Sequence, residues 1–438
     1  MAGLWRILVY LAIVFAPLSV TAIFNFPSED NLLANIGRSL ALLAFGLLIM
    51  QVGLAARLKW TERPFGLNLM FPFHRRMGVF ITGILIAHPL VMAASGDGWP
   101  LLIGLKQPWN IWIAKAALLL LLVNTIVSVY RVPLGLKFES WRVLHDLLGP
   151  TSILLLVFLH SWFTGSDLAA PPMRVLWVVL LAGAVLLFIY HRFLRPWRLG
   201  HHPYQVTEVR QETPDVWTLR FAPPSEQRRF DFLPGQFQFV TLQRGRGLPV
   251  EEHHFTISSS PTDSTSHTST IKASGDFTAT IGQTQPGDLA VINAPFGRFS
   301  YVLHPEVQDL VFIAGGIGIT PLMGNLRHMR DTRAEKRVLL LYSSRTEDGI
   351  VFREELEQIA AGVTPKVEVR YILTQAHALW EGEQGRLDRE KIKRLCGARL
   401  TQSTFFLCCP PPMLADMLAI LQDLGVPARR ISYEYFSL

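Results

Sequence analysis

Every long apolar run in this chain lies before residue 200, and each is close to the twenty residues that an α-helix needs to cross the hydrocarbon of a bilayer. The runs cover approximately residues 5–24, 36–56, 74–94, 111–130, 142–163 and 175–194. Lipid offers no hydrogen bonds to the backbone, so runs of this kind are confined to helices that bond internally. Six membrane helices are expected. Composition agrees: a chain of 438 residues that is 50% hydrophobic and only 17% charged is too apolar for an ordinary soluble protein. It is also too long for a bare membrane bundle, so a soluble part is expected to follow.

Basic residues orient the bundle. Arg57, Lys59, Arg63, Arg75 and Arg76 join helices two and three, Arg131, Lys137 and Arg142 join four and five, and Arg192, Arg195 and Arg198 follow six. The other connections hold Glu29, Asp30, Asp97 and Asp167 against Lys106 and Arg174. Cationic loops stay on the cytoplasmic side, which predicts a multi-pass protein of the cell membrane with both termini cytoplasmic. Part of the net charge of +7 is therefore topological. No basic stripe with interleaved aromatics suggests nucleic acid, and the expected surroundings are the lipid bilayer. Residues 1–22, with Arg6 and the small-residue stretch Ser19 to Ala22, have some look of a cleavable signal, but the long apolar stretch favours a retained helix.

Four histidines fall inside these apolar segments, His74 with His88 and His145 with His160, fourteen and fifteen residues apart. On a helix each pair is separated by about 21 to 22 Å with an angular offset of about 40 to 60°. Both members face nearly the same way, near opposite edges of a bilayer. A single intramembrane histidine is more often a hydrogen-bonded packing residue than a ligand. The same long separation on two helices points instead to two stacked bis-histidine haems, the inner held by His74 and His145 and the outer by His88 and His160. Pro72 is placed near the start of helix three, and Gly149-Pro150 interrupts helix five between its histidines. The three cysteines, Cys396, Cys408 and Cys409, lie far from the helices and form no C-x-x-C-H attachment motif, so the haems are expected to be non-covalent b-type groups.

From about residue 203 the pattern changes to short β-rich runs, Tyr204 to Val209, Val216 to Phe221 and Gln238 to Leu242, which predicts a small antiparallel barrel. The serine- and threonine-rich segment Ser258 to Thr270 reads as a flexible surface loop. From about 308, strand-like Asp309 to Ala314 leads into the turn Gly315 to Pro321, then a helix, then strand-like Arg337 to Tyr342. That alternation predicts a doubly wound α/β domain. The expected fold class is thus a multidomain membrane protein: a six-helix transmembrane bundle over 1–200, an antiparallel β-barrel over 201–305 and a doubly wound α/β nucleotide-binding domain over 306–438.

The order of motifs in the second half is specific. Phe232 to Phe237, His253 to Ser259, Gly275 to Thr278, the glycine-rich turn and Cys408 to Met413 resemble the motif series of the ferredoxin reductase superfamily. With the paired histidines upstream, the chain resembles the ferric reductase and NADPH oxidase family. That resemblance implies FAD against Pro234, Gln236, Phe255 and Thr256, with its phosphates near Gly275, Phe277 and Thr278. His253 stands where many soluble relatives carry arginine, which implies a phosphate contact, with a solvated turn as the alternative. Gly315, Gly316, Gly318, Thr320 and Pro321 then form the NAD(P)H pyrophosphate site at a helix N-terminus. Ser344 and Arg345 are placed to hold a 2′-phosphate, leaning towards NADPH. Cys408 is placed beside the nicotinamide and flavin as an aid to hydride transfer, or is simply a buried thiol at a strand end. Phe436 stands for the aromatic residue that shields the flavin, or belongs to a plain edge strand.

The expected activity is electron transfer from cytoplasmic NAD(P)H through FAD and two haems to an outer-side acceptor, dioxygen giving superoxide or ferric iron. Arg38, near the outer end of helix two, is placed to meet a haem propionate or an anionic product, and snorkelling to the interface explains it equally well. The alternative function is a membrane-anchored NAD(P)H:flavin reductase serving a cytosolic or quinone acceptor, with a structural or single-haem membrane domain.

Overall fold

Apolar helices that bond only to themselves build the first part of the molecule, and paired strands build the second. The computed structural model describes residues 2–24, 31–96, 98–149, 154–225 and 227–435. They form two units, Met1–Pro196 and Trp197–Leu438.

Among the described residues of the first unit, six helices are long and apolar enough to cross a membrane: Gly3–Ile23, Leu32–Ala55, Leu67–Ala94, Trp109–Val129, Phe138–Thr164 and a last one starting at Pro171. The chain is a multi-pass membrane protein. Its helices are labelled α1 (Ala2–Ile23), α2 (Leu32–Ala55), α3 (Leu67–Ala94), α4 (Trp109–Val129), α5 (Phe138–Asp146), α6 (Leu154–Thr164) and α7 (Pro171–Ile189). Asn31 caps α2, its side-chain oxygen accepting from the Leu33 N–H at 2.9 Å. α2 is the most buried helix and touches α1, α3 and α7. At Gly46 a Cβ would stand 2.5 Å from the Val14 carbonyl oxygen, so only glycine lets α1 and α2 meet backbone to backbone. One residue earlier, Phe45 stacks on Trp177 with ring centres 4.0 Å apart. The Thr82 and Thr125 hydroxyls, 2.8 Å apart, tie α3 to α4.

Two expectations about helix boundaries need adjustment. α3 begins at Leu67 after Gly66, whose φ of 72° breaks the chain direction, so Pro72 lies inside the helix rather than at its start, and Pro89 lies inside as well. α5 runs into a π-helical turn at Leu147–Gly149, and Pro150 lies outside the described residues.

The second unit opens with strands β1 (Tyr204–Thr213), β2 (Val216–Ala222), β3 (Phe237–Gln243), β4 (Glu252–Thr256), β5 (His267–Lys272) and β6 (Leu289–Phe296). They form one antiparallel sheet in the order β4-β3-β6-β1-β2-β5. A bridge from Ile257 to Ser269 joins the two edges and closes it into a barrel. Inward-facing Val206, Leu219, Phe221, Val240, Leu242 and Ile292 fill its core. The reading of Ser258 to Thr270 as a surface loop is overturned, because its last four residues are strand β5. Their hydroxyls satisfy one another inside: Ser258 Oγ lies 2.9 Å from Thr270 Oγ1, which lies 2.8 Å from Thr218 Oγ1. Polar composition imitated a loop, but threonine fits a pleated strand once its hydroxyl has a partner.

The remaining strands are β7 (Asp309–Gly315), β8 (Arg337–Ser344), β9 (Lys366–Leu373), β10 (Glu383–Gln384), β11 (Thr404–Cys408) and β12 (Ile431–Glu434). They form a parallel sheet ordered β10-β9-β8-β7-β11-β12. Leu310, Phe312 and Ala314 of β7 face one core with α8 (Ile319–Asp331) and α9 (Arg353–Ala361), while Val311 and Ile313 face the other with α10 (Arg389–Cys396) and α11 (Pro411–Asp423). A strand buried on both faces has to be apolar throughout, and β7 is. Strand order reverses between β7 and β11, so Gly315 and Cys408 end side by side at the switch point where such sheets bind ligands.

Two consequences are measurable. A Cβ at Gly318 would overlap the Cys408 carbonyl oxygen. Gly318→Ala should therefore push α8 away from β11 at a cost of about 1–3 kcal/mol, read as a lower unfolding midpoint together with weaker NAD(P)H binding. The second concerns His267, which is buried in the barrel with its Nε2–H donating to Gln238 Oε1 at 2.8 Å. Burial, helped by the nearby Arg229 charge, lowers its pKa to about 3. An unfolded histidine takes up a proton near pH 6.5, so this contribution to stability is complete above about 6.5 and is lost as pH falls towards 3. Between pH 7 and pH 4 the unfolding midpoint should fall less steeply in His267→Asn than in the wild type, and equal slopes would contradict this assignment.

Candidate functional site

The four membrane histidines come together in pairs. His74 and His88 lie on α3, His145 on α5 and His160 on α6. The His74 and His145 ring centres are 6.1 Å apart. Two metal–nitrogen bonds of about 2 Å, plus about 1 Å from each nitrogen to its ring centre, give about 6 Å for two imidazoles sharing one iron. His160 lies close enough to His88 to interact with it electrostatically.

Second nitrogens decide what the first can do. His88 Nδ1 lies 2.9 Å from the Gly37 carbonyl, His160 Nδ1 3.2 Å from the Asn110 carbonyl, and His145 Nδ1 3.0 Å from Asn124 Oδ1. An oxygen acceptor keeps the proton on Nδ1 and leaves the Nε2 lone pair for a metal. His74 differs: the Gln51 backbone carbonyl lies near its ring, and its buried Nδ1 meets no side-chain oxygen at hydrogen-bond distance among the described residues. Gly78 and Gly149 follow His74 and His145 by one turn. A Cβ at Gly78 would meet nothing within 4 Å, and one at Gly149 only the Asn124 amide nitrogen at 3.8 Å, so space for a flat ring lies beside both ligands. The imidazole spacing, the bonded Nδ1 atoms and this open space all fit a haem.

Arg38 does not stand free. It forms a two-pronged ion pair with Asp167, Nε lying 3.3 Å from Oδ2, with both side chains largely buried. Asp167 sits in the short turn between α6 and α7, so the pair pins that turn to α2. An arginine seen alone in sequence showed nothing of a carboxylate more than a hundred residues away.

In the barrel, Phe237 pairs with Thr256 and Gln238 with Phe255, which puts the Phe232–Phe237 turn beside the Phe255-Thr256 step. Phe255 is half-buried and Thr256 buried. Pro234 precedes Gly235, where φ is 85° and a Cβ would overlap the Phe299 carbonyl oxygen. The Gln236 amide is used internally, its Oε1 accepting from the Leu233 N–H at 2.7 Å and its Nε2 donating to the Gly297 carbonyl at 2.8 Å. It therefore shapes the turn. His253 lies in β4 rather than in a solvated turn, stacked on Phe277 at 4.1 Å, with Nε2 2.8 Å from Glu251 Oε2. Phe277 itself is buried and acts as a prop beneath the histidine. Thr278 Oγ1 accepts from the Ser274 and Gly275 N–H groups, both at 2.9 Å, and closes the turn on itself.

No motif drew attention to Arg244. It is only 3% exposed, donates to the Thr280 carbonyl at 2.8 Å and lies 5.1 Å from the Phe277 ring centre, directly behind that turn.

At the switch point, Gly315 packs where a Cβ would meet Cys409 and Pro410 at 2.7 Å, whereas Gly316, with φ of 53°, has nothing within 4 Å. Its backbone is open to a ligand. Thr320 Oγ1 donates to the Ile317 carbonyl at 3.0 Å and, with Pro321, starts α8, whose N-terminal amides favour an anion. Ser344 ends β8, and Arg345 is exposed with no ion pair among the described residues. Cys408 is fully buried, and burial, the Glu434 carboxylate and Cys409 push its thiol pKa well up, so it stays protonated. Glu434 pairs with it in register from β12 and is buried. Phe436 lies outside the described residues.

α8 also reaches the barrel. A Cβ at Gly324 would stand 3.0 Å from the Ile257 carbonyl oxygen, and Arg327 donates to the Ser258 carbonyl at 2.7 Å. One helix thus spans from the dinucleotide turn to the flavin-side strand.

Three family models match in chain order: a ferric reductase like transmembrane component over residues 40–157, an oxidoreductase FAD-binding domain over 203–301 and an oxidoreductase NAD-binding domain over 312–418. The glycine betaine monooxygenase reductase subunit of Pseudomonas aeruginosa is 30% identical over 255 residues, 56% of this chain and 68% of that protein. Cytochrome b5 reductase 4 of Rattus norvegicus is 31% identical over 158 residues, 35% of this chain and 30% of its own. Among solved structures, a flavohemoglobin from Malassezia yamatoensis aligns with a TM-score of 0.50 at 21% identity, over 86% of this chain and 98% of its own. That likeness speaks for the fold alone. With an apolar six-helix bundle, an antiparallel barrel and a doubly wound nucleotide-binding sheet in this order, the chain belongs to the ferric reductase and NADPH oxidase family of membrane electron-transfer oxidoreductases.

Proposed function

We propose that the protein moves electrons from cytoplasmic NAD(P)H across the cell membrane to an acceptor on the outer side, with both termini cytoplasmic. The division of labour follows the chain: residues 1–200 hold two b-type haems, 201–305 hold FAD and 306–438 bind NAD(P)H. The observation that carries this reading is the pair of imidazoles, His74 and His145, 6.1 Å apart with His145 Nδ1 turned to an amide oxygen. When bound, FAD supplies the conversion of a hydride donor into single electrons, and haem supplies one-electron carriage through hydrocarbon.

The chain's own residues do the rest. Gly315, Gly316 and Gly318 bring backbone close to the pyrophosphate of the nicotinamide dinucleotide, and the N-terminus of α8 adds its partial positive charge. Ser344 and Arg345 lie at the end of the second strand, where a 2′-phosphate is read. Phe255 and Thr256 seat the isoalloxazine, and the Gly275–Thr278 turn with His253 lies along the diphosphate. Cys408, held neutral, packs beside the nicotinamide without acting as a base. His74, His88, His145 and His160 would hold the two haems through Nε2, and haems held in this way would supply outer-sphere electron transfer to an acceptor.

The net balance is one NAD(P)H and two acceptors giving NAD(P)⁺, one proton and two acceptors each reduced by one electron. Dioxygen giving superoxide and ferric iron giving ferrous iron both satisfy it.

Reduction of the purified full-length protein with dithionite should show b-type bands at two haems per flavin. His74→Ala and His160→Ala should each remove one haem, and unchanged porphyrin content in both variants would sink the proposal. A flavin-loaded protein without cytochrome bands would identify a membrane-anchored flavin reductase instead. Reoxidation of the reduced protein by oxygen, and by ferric chelate without oxygen, ranks the two acceptors. Arg345→Ala should raise KM for NADPH about tenfold, the loss of one charge-assisted contact, and leave KM for NADH nearly unchanged.

A further inference from the structure

Asn124 is a buried amide in the second half of α4, directly after the run of alanine, leucine and valine from Ala116 to Val123. A primary amide in hydrocarbon is costly unless its polar atoms are used. Its Oδ1 lies 3.0 Å from His145 Nδ1. One turn further along α4, Ser128 Oγ lies 3.3 Å from the same nitrogen. Trp141 completes the setting: its indole N–H donates to Ser128 Oγ at 3.2 Å, and its ring lies against His145 with centres 5.2 Å apart and planes inclined by 25°. His145 is therefore held on one edge by two side-chain oxygens and on one face by an indole.

None of the other three ligands is treated in this way. His88 and His160 point Nδ1 at backbone carbonyls, at 2.9 and 3.2 Å. Thr164 Oγ1, which donates to the His160 carbonyl, is also 3.4 Å from His160 Nδ1, a longer contact than the 3.0 Å amide oxygen at His145. His74 has the Gln51 backbone carbonyl near its ring, and its Nδ1 meets no side-chain oxygen at hydrogen-bond distance among the described residues. A strong acceptor on Nδ1–H draws the proton outward and makes the ring a stronger electron donor through Nε2, which favours ferric over ferrous iron. Such a bond at a side chain can differ from that at a backbone carbonyl, because a single substitution can change it.

From this asymmetry we infer that Asn124 is a positioning residue that fixes the tautomer and orientation of His145, and through it sets the reduction potential of the His74–His145 haem independently of the His88–His160 haem. The inference rests on the haem reading above and names the group that regulates its first membrane step. Ser128 and Trp141 support the same imidazole, Ser128 as the weaker acceptor and Trp141 by holding Ser128 and the ring in place.

The test is a spectroelectrochemical titration of the full-length, haem-loaded protein, with electron paramagnetic resonance of the ferric state. Asn124→Leu keeps the branched shape and number of heavy atoms and removes the acceptor, so the midpoint of one haem should shift upward while the other stays at its wild-type value. Asn124→Asp supplies a stronger acceptor and should shift the same haem downward. Ser128→Ala should move it in the direction of the leucine variant by less, and its low-spin ferric signal should change with it. Loss of that haem alone in Asn124→Leu, with retention in Asn124→Asp, would support the same assignment. Two retained haems with unchanged midpoints, equal shifts in both, or loss of both haems in both variants would overturn it. A wild type without two b-type haems would remove the haem reading, and this inference with it. A wild type with two haems whose midpoints ignore Asn124 removes the inference alone.

Discussion

An imidazole in hydrocarbon has two nitrogens to satisfy, and the membrane unit is arranged around that requirement. Leaving a polar group without a partner in an apolar medium costs on the order of 2–7 kcal/mol. Four such groups would outweigh the whole stability of an ordinary domain, about 5–15 kcal/mol. For three of the four, one nitrogen is already provided for by a carbonyl or amide oxygen from another helix: Gly37 on α2, Asn110 and Asn124 on α4. α2 and α4 thus contribute oxygen acceptors to histidines carried by α3, α5 and α6, so this set of hydrogen bonds is complete only when five helices are in register.

A comparable economy governs the soluble unit, where α8 belongs to two places at once. Its first residues follow the open backbone of Gly316, and its middle turns lie on the barrel through Gly324 and Arg327. α8 links the dinucleotide turn to the strand that ends in Phe255 and Thr256 through the close backbone approach at Gly324 and the Arg327 hydrogen bond. Gly318 against Cys408 and Gly235 against Phe299 serve the same end, since each removes the Cβ that would hold two chain segments apart.

Periodicity and length made the six spans, the barrel and the parallel sheet legible, because those patterns answer directly to lipid and to strand burial. Motif order made the FAD and NAD(P)H segments legible. Elsewhere composition misled. Ser258 to Thr270 read as a loop because hydroxyls look solvated, yet Thr218, Ser258 and Thr270 supply one another with partners inside the barrel. Pro72 read as a helix start because its missing N–H is harmless there, but Gly66 starts the helix earlier. Arg38 read as a partner for a haem propionate or anionic product, or as snorkelling to the interface, and its pairing with Asp167 was not legible because that residue comes from a turn far along the chain. The solvated-turn alternative for His253 is replaced by a strand position stacked on Phe277, which depends on a pairing between β4 and the turn after β5 that no local pattern announces.

The amino-acid sequence alone determined that six apolar helices precede an antiparallel and a parallel sheet, that four histidines on the helices form two pairs of matching separation, and that a glycine-rich turn follows the first parallel strand. These are properties of spacing along one chain, and spacing survives without knowledge of neighbours. Only tertiary structure decided that His145 is held by Asn124 and Ser128 while His88 and His160 use backbone carbonyls, and that Arg38 is matched by Asp167. Each of those outcomes depends on atoms brought within about 3 Å by helix packing, and a hydrogen bond, unlike an apolar stripe, has no period from which to read it.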